Sequence, residues 1–75
     1  MLVNTEDLKP GDFITGSDMQ DIMIPPPGIT VEATWYDKSN GNQIVKFKDA
    51  SGLEAFNPYW GWYIEREENK NGEKE

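Results

Sequence analysis

The chain has 75 residues and carries fourteen acidic side chains against seven basic ones, a net charge of −7, with neither cysteine nor histidine. A chain this short supports one hydrophobic core, burying only about 60% of the surface that its unfolded form exposes, and has no disulfide framework or Cys/His zinc site to supplement it. The excess of acid works against direct binding to nucleic acid or anionic lipid, and no apolar run approaches the roughly 20 residues of a membrane helix.

Met1 to Pro10 lack the basic start and apolar stretch of a signal peptide, so the sequence reads as a cytoplasmic chain with one domain over residues 1–66. Leu8-Lys9-Pro10-Gly11 makes a turn, and residues 12–15 read as a short strand carrying Phe13 and Ile14. Residues 16–28 hold two glycines and the consecutive prolines Pro25, Pro26 and Pro27. Such a run enforces extended backbone without ladder donors. It is expected to be a long loop whose Met19, Ile22, Met23 and Ile24 fold back onto the domain.

Residues 29–37 give the clearest strand: Ile29, Val31, Ala33 and Trp35 alternate with Thr30, Glu32, Thr34 and Tyr36. Asn40-Gly41 supplies a hairpin turn, and residues 43–48 form the partner strand, with Val45 and Phe47 inward and Lys46 and Lys48 outward. Asp49 to Gly52 signals a second turn before a strand over 53–56, which Asn57-Pro58 breaks. Tyr59, Trp60 and Gly61 cross a corner, and residues 62–66 close the domain with Trp62 and Ile64 on one side and Tyr63 and Glu65 on the other. From residue 67 to 75 every side chain is charged, Asn or Gly, which is the composition of a disordered tail.

This order of elements resembles an SH3-like small barrel over about residues 8–66: a short strand opening on Leu8-Lys9-Pro10-Gly11-Asp12, a long loop, three meander strands, a Pro-containing corner and a final strand. The resemblance implies an all-β, five-stranded barrel with strands at 12–15, 29–37, 43–48, 53–56 and 62–66. It also implies a peptide groove built from aromatics of the long loop and the corner. Tyr59 and Trp60 match the corner, and Trp35 lies near the tight hairpin. The long loop carries methionine, isoleucine and proline where SH3 domains place tyrosines and acids.

Catalysis has little to work with, since the commonest general base and the most nucleophilic side chain are missing. Ser17, Ser39 and Ser51 sit in turns without a histidine partner, and alternation turns Glu32 and Glu54 outward as solvated surface. Asp12, Asp18 and Asp21 lack the spacing of a calcium loop, and no phosphate-cradling glycine pattern occurs. The expectation is a non-enzyme with no cofactor and no metal.

Trp35, Phe47, Phe56 and Trp62 fall where a core needs bulk. Tyr36, Tyr59, Trp60 and Tyr63 are surplus to that core and form either a partner-binding patch or a cover over the barrel's open end. Exposed Tyr and Trp are strong binding anchors, because they combine apolar area with a polar tip. Acids concentrate in the first third, where Asp12, Asp18 and Asp21 are read as an acidic surface. Three functions follow. The first is a regulatory module that binds a protein through the aromatic patch. The second is an acidic nucleic-acid mimic that inhibits a DNA- or RNA-binding protein, of the kind that phages and mobile elements provide. The third is a structural subunit that self-associates as a homo-oligomer by pairing an edge strand.

Overall fold

A computed structural model of the chain describes residues 1–66, so the charged tail read over 67–75 lies outside the described residues. The elements are β1 (Leu2–Asn4), a single 3-10 turn (Thr5–Asp7), β2 (Phe13–Ser17), β3 (Ile29–Asp37), β4 (Asn42–Phe47), β5 (Leu53–Phe56) and β6 (Gly61–Glu65). They form one antiparallel sheet in the order β1-β6-β2-β3-β4-β5. The end strands β1 and β5 do not pair with each other, so six strands in an unclosed sheet replace the expected five-stranded barrel. The additional strand is β1. Three residues are too few to display a period, and β1 exists through its register with β6, Leu2 against Tyr63, Val3 against Trp62 and Asn4 against Gly61.

One apolar cluster holds the sheet around itself: Leu8, Ile14, Val31, Val45, Phe47, Trp62 and Ile64 are buried, with Ile22, Ile24 and Phe56 packed against them. The rings of Phe56 on β5 and Trp62 on β6 meet edge to face with centroids 4.8 Å apart, although their strands are far apart in the sheet order. The sheet is therefore bent over its own core. Ile22 and Ile24 of the long loop fold back as expected, while Met23 between them stays exposed. Gly28 ends that loop at φ +145°, and a Cβ there would lie 2.5 Å from the Ile14 carbonyl oxygen and 2.7 Å from the Phe13 ring. Only glycine fits that approach.

Two polar contacts pin the core. Thr5 is fully buried, and its hydroxyl accepts the Trp62 indole N–H at 2.6 Å and donates to the Trp60 carbonyl at 3.3 Å. Burying the largest side chain of the core is tolerable because its single polar atom has a partner. Asp12, at the opening turn, is 2% exposed and receives Arg66 Nε and Nη2 at 2.9 Å each, together with the Lys9 N–H. The assignment of Asp12 to an acidic surface is thus corrected: its carboxylate faces a guanidinium, not solvent.

The core assignment of Trp35 is corrected as well. Val31 pairs with Phe47, but Ala33 pairs with Lys46, so β3 carries an extra residue at a bulge between them. A bulge of one residue reverses the side-chain alternation beyond it. Directly opposite residues share a face, so Thr34 joins Val45 and Tyr36 joins Gln43 on the core side, and Trp35 turns outward with Ile44. Trp35 is 46% exposed.

Candidate functional site

The corner after β5 is built by short-range hydrogen bonds. The Asn57 side-chain oxygen accepts the Tyr59 N–H at 2.9 Å, and the Asn57 carbonyl accepts the Trp60 N–H at 3.2 Å, which is the local bonding that makes Asn-Pro a turn initiator. Pro58 is buried. The 3-10 turn then clamps onto this corner: Thr5 N–H donates to the Trp60 carbonyl at 2.9 Å and Glu6 N–H to the Pro58 carbonyl at 3.1 Å. Glu6 is thereby carried beside residues more than fifty positions away.

The β3–β4 hairpin supplies the facing wall. The Asp37 carboxylate accepts the Ser39 N–H at 3.0 Å, the Ser39 hydroxyl at 2.7 Å and the Asn40 amide at 3.0 Å. These bonds, led by the Ser39 hydroxyl, hold its carboxyl below the ordinary aspartate value against a small opposing effect of burial. The turn closes with Gly41 N–H on the Asp37 carbonyl at 2.8 Å, and Gly41 alone takes a positive φ there, +75°, while Asn40 does not. Between hairpin and corner lies an open groove of about 370 Å³ lined by Glu6, Tyr36, Gly41, Asn57, Pro58 and Tyr59.

The four aromatics expected to form one patch are divided by this geometry. Tyr36 and Tyr59, 54% and 73% exposed, share the groove. Trp60 is half-buried, packs its ring near Phe56 with centroids 6.2 Å apart, and is not among the residues that line the groove. Tyr63 points away from the face that buries Trp62 and lies on the outer side of the sheet, paired with Leu2 and 3.7 Å from where a Gly16 Cβ would stand. It does not line the groove.

The acids are also dispersed in role. Burial alone would raise the Asp12 pKa, but the hydrogen bonds from Arg66 and Lys9 and the charges of both outweigh it and hold the carboxyl below its ordinary value. Asp18 accepts the Gly61 N–H at 3.2 Å, and a Cβ at Gly61 would lie 2.5 Å from its carboxylate. Asp21 is exposed. Glu32 pairs with Lys46 at 3.0 Å, and Glu54 is exposed at the β5 edge. Among the described residues no group of three or more acidic side chains is placed to hold a metal ion, and no helix is long and apolar enough to cross a membrane.

Two surface features escape a reading of the sequence. Glu6 belongs to the groove only through its backbone bond to Pro58, which leaves no mark in the sequence. The bulge that exposes Trp35 leaves none either. It creates an outer face on β3, β4 and β5 in which the apolar residues Trp35, Ile44 and Ala55 form one cross-strand row, and Ala33 and Leu53 flank Lys46 in the next. Leu53 is 56% exposed.

A small, open, all-β sheet with a groove at one end and an apolar outer face defines the class to which this chain belongs. No protein-family model, no curated protein and no solved structure matches it.

Proposed function

We propose that the chain is a non-catalytic protein-interaction module that binds its partner in the groove between Tyr36 and Tyr59. The observation that carries this reading is that two largely exposed tyrosines, one from the β3–β4 hairpin and one from the corner, line one concavity together with Pro58 and Glu6. Exposed rings of this kind contribute large contact area at little loss of rotamer freedom. The absence of histidine and cysteine from the whole chain supports a binding role over a catalytic one. The strand order from β2 to β6, with its meander and Pro-containing corner, is compatible with an SH3-like arrangement, but the groove is lined from the β3–β4 hairpin and the corner and not from the long loop of residues 16–28.

The acidic-mimic reading is weaker than the groove reading, because one of its three acids, Asp12, is neutralised by Arg66. The test of the groove reading compares partners captured from the source cell by the wild type, by Tyr36→Ala/Tyr59→Ala and by Leu53→Ser on the outer face. Partners retained by Leu53→Ser and lost by the tyrosine variant support the groove. Partners unchanged by the tyrosine variant sink it.

A further inference from the structure

Resting on that reading of the groove, we infer that its occupant is a cationic segment of a partner protein, which places a lysine or arginine side chain between Tyr36 and Tyr59 and directs it at Glu6. Among the described residues Glu6 is the only charged side chain lining the groove, and it is exposed. Among the described residues no cation pairs with it, whereas the carboxylates of Asp12 and Glu32 are matched to Arg66 and Lys46. Glu6 is therefore an acceptor left available at a concavity that two tyrosine rings line.

The rest of the lining selects for the same chemistry. Tyrosine rings attract a cation placed over their faces, and the phenol hydroxyls, the Asn57 amide and the carboxylate offer hydrogen-bonding groups that a purely aliphatic occupant would not use. Lysine and arginine meet both demands, with an apolar stem to lie against the rings and a charged head for the carboxylate. The Asn57 side-chain oxygen is already taken by the Tyr59 N–H, so its amide nitrogen remains as a donor for a carbonyl of the bound backbone. The groove is partly open and is lined from both the hairpin and the corner, which suits a chain passing across it. At longer range the net charge of −7 attracts basic partners and repels phosphate-rich ones.

The test uses the full chain, immobilised, and a degenerate library of capped hexapeptides, with captured peptides sequenced by mass spectrometry. It is run on the wild type, Glu6→Gln and Tyr59→Ala. Both substituted residues are exposed, and the Glu6→Gln change leaves the backbone bond to Pro58 in place. Unchanged thermal midpoints show that the variants are folded. The expected result is enrichment of Arg and Lys by the wild type, reduced about two- to fivefold in Glu6→Gln, as for one exposed charge pair, and further reduced by added salt. Tyr59→Ala loses enrichment of every residue type. Wild-type capture of apolar or acidic peptides without Arg or Lys, still lost in Tyr59→Ala, overturns the cationic occupant while leaving the groove reading intact. Capture indifferent to Tyr59→Ala, or no capture above background, overturns both.

Discussion

At the scale of single residues, the hydroxyl of Thr5 carries a function that its small size conceals. It accepts the buried Trp62 indole N–H at 2.6 Å. Thr5→Val keeps the shape and removes the acceptor, so it is expected to destabilise the fold by about 1–3 kcal/mol, the cost of a buried donor without a partner. Thr5→Ser keeps the oxygen and is expected to lose less, chiefly the contacts of one methyl group. Urea unfolding followed by tryptophan fluorescence measures both. Equal losses in the two variants would show that the methyl, not the hydroxyl, matters. Tyr59 is the opposite case: at 73% exposure, Tyr59→Ala is expected to change stability by no more than about 0.5 kcal/mol, which leaves its effect on binding separable from folding.

At the scale of elements, the bulge in β3 decides which tryptophan is structural. Trp62 lies wholly within the cluster and Trp35 on the outer face, so Trp62→Ala is expected to cost about 3–5 kcal/mol and Trp35→Ala about 1 kcal/mol or less. Comparable shifts of the unfolding midpoint in the two variants would contradict the reversed alternation beyond Val31. Strand β5 shows why a period-two pattern at an edge is not a burial pattern: Glu54 shares the face of Val45 yet stays exposed, because no strand lies beyond it. The loop between β2 and β3 is fixed at its end by Gly28. Gly28→Ala combines a backbone angle that side-chain-bearing residues rarely adopt with an overlap onto the Ile14 carbonyl, and it is expected to cost about 2–3 kcal/mol, checked by the same unfolding measurement.

At the scale of the whole molecule, the Asp12–Arg66 pair ties the opening turn to the chain just beyond the last strand, 54 residues away. The Asp12 pKa is lowered from its ordinary 3.8 in the fold, so the unfolded state takes up a proton first as pH falls. The stabilisation by this pair is full well above pH 3.8 and is lost as pH drops through the lower folded value. Asp37 is lowered too and acts in the same direction. Asp12→Asn is therefore expected to flatten, without abolishing, the fall of thermal midpoint below about pH 4. A wild-type slope identical to that of the variant would show that the pair does not persist in solution.

The sequence by itself determined the elements whose cause is local. Residues 29–37 and 53–56 are delimited by β-rich alternation between turn formers, and the observed strands have those bounds. Phe47, Phe56 and Trp62 were legible as core because strand, turn and bulk agreed at those positions. Tertiary structure alone decided the rest. The strand at Leu2–Asn4 exists only because β6 offers it an edge, and the sheet stays open because its two end strands never meet. One inserted residue in β3 sent Trp35 to the surface and Tyr36 toward the groove. Burial of Asp12 depends on Arg66 arriving from the far end of the described chain, and the groove itself depends on Glu6 being clamped to Pro58. In each case the deciding contact joins residues distant in the chain, and local propensity holds no record of such a partner.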